Sequence, residues 1–373
     1  MNKIDEIDKR MAPVTNIERE GIRMYNIDEA PFRIYGIYRD GEKYRRLPEA
    51  VAANTNPGVL GLHANTAGGR VRFVTDSPYV ILKAHINPGK MPHFALTGSC
   101  GFDMYAEDAE SADLADANVG QEMREVRYAG TYMPPFTVED IYEGVIDFEE
   151  RKKRIITLNF PLYSNVLSVL LGLQEGSVLE KAPDYQLEKP VVYYGSSITQ
   201  GGCASKPGSS YQSILSRRFN CNYINLGFSG SARAEDAIIE YINGLDMSVF
   251  VLDYDHNAPT VEHLRATHSK MFKAIRAEHP ELPILIMPRP NYYLKKEERV
   301  RHEIVNNTYL EAKAAGDENV YFLSGAQLME VVGDNGTVDN VHPTDSGFFS
   351  MAKAIEKVFE KIFAKMDLQM PER

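Results

Sequence analysis

Five short apolar runs in the second half of the chain, Val191–Tyr194, Tyr223–Leu226, Val249–Leu252, Ile284–Met287 and Val320–Leu323, are separated by helical patterns. They recur about every 30 residues, the spacing of repeated strand–helix–strand units. Strands this apolar leave no face for water, so helices must cover both sides of the sheet they form. The intervening segments supply such helices. Thr260–Glu278 is amphipathic, and Phe348, Met351, Ala352, Ile355, Val358, Phe359, Ile362 and Phe363 repeat at i, i+3, i+4 and i+7. The pattern predicts a parallel sheet sandwiched by helices.

The first half reads differently. Phe32–Tyr38, Arg70–Thr75, Tyr79–His85, Phe94–Thr97, Phe102–Ala106, Arg154–Asn159 and Val166–Leu173 are expected strands, several with period-two alternation. Asn56-Pro57-Gly58, Ala67-Gly68-Gly69 and Asn87-Pro88-Gly89 mark turns. Many short strands with few helices predict an antiparallel β-sandwich. The polar stretch Glu175–Asp184 is read as the connection, dividing the 373 residues into 1–184 and 185–373. A chain of this length exceeds the usual size of one core.

Charge and composition exclude several functions. A net charge of −11 and a pI near 5.4 repel phosphate backbones and anionic lipid, so neither nucleic acid nor a membrane surface is an expected partner. No apolar run approaches the roughly 18–20 residues that span a bilayer. Met1–Arg10 has no apolar core of a signal peptide, and Cys100, Cys203 and Cys221 have no metal-ligand spacing. The expectation is a cytoplasmic enzyme without metal or other cofactor. A homo-oligomer is compatible with the chain.

The chemistry lies just beyond the apolar runs. Val191–Tyr194 leads into Gly195-Ser196-Ser197 and then Gly201-Gly202, which places a serine hydroxyl at the carboxyl end of a buried strand. Ser197 as nucleophile needs a positioned base. His342 lies in Asp339-Asn340-Val341-His342 just before the last helix, where Asp339 would orient its imidazole. Gly230 follows the second run and Asn257 the third. With the Ser197 N–H they are the expected oxyanion donors.

Each of these has an ordinary structural explanation. Gly-x-Ser occurs in many tight turns, and the fifth position, Thr199, departs from the Gly-x-Ser-x-Gly elbow. Asp339 and His342 would also suit a plain loop, with Asp345 or Ser346 capping the helix. Gly230 would suit a turn requiring positive φ. Asp253-x-Asp255-x-Asn257 is no calcium loop, because Ala258 and Leu264 stand at its sixth and twelfth positions. What carries weight is the joint order Ser, Gly, Asn, Asp-x-x-His, each after a separate strand. Arg233, Glu235 and Tyr292 are expected substrate contacts, against the simpler readings of a helix-start charge pair and a surface tyrosine.

Ser197, Gly230, Asn257 and His342 resemble the four blocks of the SGNH (GDSL-like) hydrolase superfamily over residues 188–366, with Asp339 completing Asp-x-x-His. The resemblance implies a three-layer α/β/α domain around a parallel five-stranded sheet. The longer string Tyr194–Ser205 is similar to a bacterial subgroup with an N-terminal, jelly-roll-like β-sandwich carrying Gly-x-Asp-Leu-Tyr. Gly101-Phe102-Asp103-Met104-Tyr105 matches that motif with Met for Leu, and Phe160-Pro161-Leu162-Tyr163 is like its closing strands. In such two-domain carbohydrate acetylesterases the sandwich would wall the active site, bringing Asp103 and Tyr105 near it. Two positions depart: Ser196 replaces the Asp of Gly-Asp-Ser, and Asp255-His256-Asn257-Ala258 replaces Gly-x-Asn-Asp. The expected function is a serine esterase that removes acetyl groups from oligosaccharides. The rivals are an esterase, thioesterase or acyltransferase for a longer acyl group, and a non-catalytic carbohydrate-binding protein.

Overall fold

The structure, a computed structural model, describes residues 15–109 and 125–366. The charged start Met1–Arg10 lies outside the described residues.

All five apolar runs form strands of one parallel sheet, in the spatial order Cys221–Gly227, Leu187–Gly195, Val249–Asp253, Ile284–Ile286, Val320–Phe322. Alternate residues face opposite layers. Val192, Tyr194, Phe250 and Leu252 pack with Ile238, Met271 and Val305, drawn from the helices Asp236–Asn243, Val261–Glu278 and Lys296–Ala314. Val191, Tyr193, Val249 and Val251 pack with Leu215, Phe348 and Ile355 from Tyr211–Phe219 and Asp345–Lys365. The result is the expected α/β/α sandwich. Thr344 caps the last helix by accepting from the Gly347 N–H at 3.3 Å, the role that Asp345 or Ser346 was expected to fill.

The first half forms two antiparallel sheets. One runs Ile22–Asn26, Asn165–Gln174, Tyr79–Asn87, Ile141–Asp147. The other runs Leu179–Glu180, Arg70–Thr75, Arg154–Asn159, Phe102–Asp108, Arg127–Tyr132, with Arg33–Tyr35 also on Arg70–Thr75. Phe73, Leu82, Phe102, Met104, Leu158, Val169 and Leu171 are buried in one core. The expected strand Phe94–Thr97 is instead a turn leading into the short helix Leu96–Ser99, because Phe94 packs on Tyr163 rather than on a neighbouring strand. Phe32–Tyr38 is interrupted at Gly36, where φ is +75°. The polar connection is docked as well: Leu179 and Glu180 pair with Thr75 and Val74.

Arg70–Thr75 explains how the two halves join. Val71 and Phe73 enter the sandwich core, which turns Arg70 and Arg72 to the other face. That face is covered. The Arg70 guanidinium lies 3.8 Å from the Tyr223 ring centroid and donates to Asn222 at 2.7 Å, while Arg72 donates to the Pro183 carbonyl at 3.0 Å. Arg46 is buried deeper. It donates to the carbonyls of Asn65 (2.6 Å), Asn225 (3.0 Å) and Gly227 (2.8 Å), so the sandwich grips the strand beside Leu187–Gly195. Burial brings its pKa down to about 9, which still leaves it charged at neutral pH.

Candidate active site

Strand register brings the site together. Gly195 lies opposite both Gly227 and Asp253, so three adjacent strands end level and their following loops crowd one edge of the sheet. The turn after Gly195 demands glycine, since a Cβ there would stand 2.2 Å from the Asp253 carbonyl. Ser196 then caps the four-residue helix Ser197–Gln200, its hydroxyl accepting from the Ile198 N–H at 3.1 Å. Ser and Asp serve equally as N-caps, which accounts for the departure from Gly-Asp-Ser. Ser197 opens this helix, so its own N–H has no acceptor within it.

Ser197 Oγ lies 2.9 Å from His342 Nε2, and His342 Nδ1 lies 2.8 Å from Asp339 Oδ2. Asp339 also folds the loop that carries both groups. Its other oxygen accepts from the N–H groups of His342 at 2.8 Å and Val341 at 3.1 Å. Partial burial acts to raise the Asp339 pKa, but these hydrogen bonds and the imidazole outweigh it and hold the carboxyl near 2. Asp339 is therefore an anion throughout the neutral range. The carboxylate favours the Nδ1–H tautomer, with Nε2 facing the Ser197 hydroxyl.

Gly230 adopts φ +67°, in open space on the loop after Cys221–Gly227. Asn257 Oδ1 accepts from the Ala232 N–H at 3.4 Å. A main-chain N–H only donates, so the amide oxygen must face it and the Asn257 NH₂ turns the other way.

Asp253 and Asp255 turn inward. Asp253 accepts from the hydroxyls of Thr199 (2.7 Å) and Tyr211 (3.1 Å), and burial drives its pKa up to about 7 against those bonds. His256 contacts Arg289 at 3.3 Å, and burial lowers its pKa to about 4, so it is neutral beside the site.

The expected substrate contacts divide. Tyr292 and Tyr293 are exposed and meet edge to face at 4.9 Å. Together with Asn291, Lys295, Asp334 and Asn340 they line a cavity of about 270 Å³ that adjoins the His342 loop. Arg233 is exposed, and its carbonyl accepts from Tyr254 and His263. Glu235 is drawn into the joint instead, accepting from Asn56 at 2.6 Å. Asp103 and Tyr105 are not brought to Ser197. Asp103 is wholly buried between Asn159 and the Gly208 N–H (2.9 Å each), and the Arg217 guanidinium covers the Tyr105 ring at 3.9 Å. The Gly-Phe-Asp-Met-Tyr motif thus latches the two halves together.

Sequence reasoning missed what the sandwich brings. Tyr163 donates its hydroxyl to the Ser197 carbonyl at 3.2 Å. Gln200 donates to Asn65 (3.0 Å) and to the Leu162 carbonyl (3.1 Å), and accepts from the Ser229 N–H (3.1 Å). The His93 ring lies 5.3 Å and the Phe94 ring 6.4 Å from that of His342. Cys203, at φ +73°, donates its thiol to the His93 carbonyl. Burial pushes that thiol up to about 12, so it is no resting nucleophile. The signal available was Phe160–Tyr163 together with the position of Gly201-Gly202 directly after Ser197–Gln200. Arg289, in Pro288-Arg289-Pro290, follows the fourth strand as Asn257 follows the third.

Residues 188–360 match the GDSL-like lipase/acylhydrolase family, and residues 22–179 match the GxDLY domain found at the N-terminus of SGNH-hydrolase-type esterases. No curated protein matches the sequence. Among solved structures, a GDSL-like lipase candidate from Bacteroides ovatus is 24% identical, with a TM-score of 0.80 over 94% of this chain and 100% of its own. A salicylyl-acyltransferase from a tetracycline biosynthetic pathway is 18% identical (TM-score 0.70, 93% and 99% covered). A family two carbohydrate esterase from Clostridium thermocellum, an active-site mutant solved with a cello-oligosaccharide, is 14% identical (TM-score 0.57, 91% and 99% covered). At these identities the likeness is one of fold, and it extends across both halves.

Proposed function

The chain belongs to the SGNH-type, GDSL-like acylhydrolases, and from that premise we propose that it is a serine esterase removing small acyl groups, acetyl foremost, from oligosaccharides. The observation that carries this reading is the unbroken relay Ser197–His342–Asp339, at 2.9 and 2.8 Å. The half after the connection near residue 185 carries the chemistry, and the described residues of the sandwich, Tyr163 and His93 among them, wall it.

Ser197 Oγ attacks the ester carbonyl as His342 Nε2 takes its proton, and Asp339 stabilises the imidazolium. The negative charge that gathers on the carbonyl oxygen meets the N–H groups of Ser197 and Gly230 and the Asn257 amide. His342 returns the proton to the leaving sugar hydroxyl as the C–O bond breaks. Water, deprotonated by the same imidazole, then attacks the acyl-serine, and the imidazolium gives that proton to Ser197 Oγ as the acyl C–O bond breaks and the carboxylic acid leaves. Every step is proton transfer or acyl transfer between this chain's groups, the substrate and water.

Two features support a carbohydrate alcohol. The cavity bearing Tyr292 and Tyr293 adjoins the His342 loop, and exposed tyrosines present flat apolar faces with polar edges suited to sugar rings. Several proteins of the same two-domain fold are carbohydrate esterases, including an acetyl xylan esterase from Butyrivibrio proteoclasticus. The test is acetate release from acetylated xylo-, manno- and gluco-oligosaccharides, read by mass spectrometry with Ser197→Ala as control. Release by the wild type alone is the expected result. Hydrolysis of octanoyl but not acetyl esters would replace it with the longer-acyl reading, and acyl product on an added sugar acceptor with an acyltransferase. Oligosaccharide binding without turnover would leave only a binding protein.

A further inference from the structure

His93, Cys203 and His342 each present one nitrogen or sulfur donor, and the three donor atoms lie within 4.8 Å of one another. Among the described residues this is the grouping of such ligands that could hold a metal ion. We propose that these three side chains form a binding site for a borderline-soft divalent cation, Zn²⁺ above all, and that filling it switches hydrolysis off. The inhibitory half rests on the catalytic role given to His342 above.

The donor set suits the ion. Thiolate and imidazole are the donors zinc takes, and three protein ligands with an open fourth position is an arrangement it adopts. Tetrahedral bonds of about 2.0–2.3 Å place donors roughly 3.4–3.6 Å apart, so closure needs movements of about an ångström. His93 is exposed, with its ring against Phe94 at 4.4 Å and 5.3 Å from that of His342, on the side the movement requires. Cys203 is held toward it. The residue keeps a left-handed backbone, φ +73°, which is uncommon for a side chain other than glycine, and its sulfur already lies 3.5 Å from the His93 carbonyl.

His342 is prepared for a metal by the contact that prepares it for catalysis. Its Nδ1 is bound to Asp339 at 2.8 Å. A carboxylate on the far nitrogen is the usual second partner of a metal-bound histidine, where it fixes the ring and strengthens the donor. Nε2 is left with its lone pair beside Ser197. A cation there takes the lone pair that would accept the serine proton, and the Cys203 thiol gives its proton to solvent as the metal–sulfur bond forms. The loaded and hydrolytic states exclude each other. No sequence motif announces the site, because its ligands come from three segments, one of them in the sandwich.

Titration of the full chain with Co²⁺, a spectroscopic stand-in for Zn²⁺, tests the site directly. The expected result is a thiolate-to-cobalt charge-transfer band that Zn²⁺ abolishes by displacement. Cys100 and Cys221 are buried, so the band should vanish in Cys203→Ser. His93→Ala should weaken binding by at least about tenfold, the smallest effect usual even for an indirect partner. Zn²⁺ should inhibit ester hydrolysis by the wild type, and a chelator should restore it. Absence of the band, or equal affinity in wild type and both variants, overturns the proposal whether or not the enzyme hydrolyses esters. A cobalt–thiolate band in a protein that turns over no ester would keep the metal site and remove the esterase reading instead.

Discussion

The Arg289 guanidinium donates to the carbonyl of Asn340 at 3.0 Å, two residues before the His342 imidazole. The same group pairs with Glu298 at 3.2 Å and touches His256 at 3.3 Å, so the end of the fourth strand pins the loop that carries the relay. Asn340 stands at φ +66°, a left-handed conformation that asparagine adopts more readily than most residues. Arg289→Met should leave the fold intact and lower kcat by up to about 10², the usual cost of an ångström's misplacement, with KM little changed. Steady-state kinetics on an acetyl ester decide it. A wild-type kcat would mean that the loop holds itself.

Ser197→Ala and His342→Ala should each lose up to about 10⁶ in kcat, and Asn257→Ala about 10² to 10³. The comparison separates the bond-making relay from the stabilisation of charge. Circular dichroism establishes that each variant is folded before turnover is read.

Asp339→Asn should cost up to about 10⁴ in kcat by disturbing the imidazole tautomer. The same change bears on acid stability. The folded carboxyl titrates near 2 rather than 3.8, so it stabilises the fold above 3.8 and loses that contribution as pH falls toward 2. The stability gap between wild type and variant should therefore narrow across that window. Denaturant midpoints taken above and within it would show a constant gap if Asp339 were instead a spectator.

Asp253 titrates in the opposite sense. Its pKa is raised to about 7, so the folded chain holds a proton that the unfolded chain releases from 3.8 upward, and stability falls as pH rises through that interval. An amide at this position can accept the same two hydroxyls without ionising. Asp253→Asn should raise the Tm above pH 7 and change it little near pH 4. Equal Tm differences at both pH values would reject the assignment.

The sequence was most readable where one physical demand acted alone. Strands apolar on both faces admit only a covered parallel sheet, and Ser197, Asn257 and His342 follow or precede strongly patterned elements. Reading failed where two demands shared a segment. Phe94–Thr97 looks like a strand because Phe94 is apolar for another purpose, packing against Tyr163 beside the His342 ring. Arg46, Arg70 and Arg72 are charged yet buried, covered by partners far away in sequence. Family likeness puts Asp103 and Tyr105 near the site, whereas hydrogen bonds to Asn159 and Gly208 and the covering Arg217 show a latch. None of these partners is local, so no window of sequence contains them.

The Gln200 side chain, three residues after Ser197, is shared among Asn65, Leu162 and Ser229. Its amide is satisfied only when both halves of the chain are in place. Recombination between relatives therefore has an unequal landscape. A crossover in the connection near residue 180 separates the buried Gln200 NH₂ from both of its acceptors, one helical turn from Ser197, while its oxygen keeps Ser229. Exchanging the exposed loop that bears Tyr292 leaves this amide fully paired, whereas exchanging the sandwich does not.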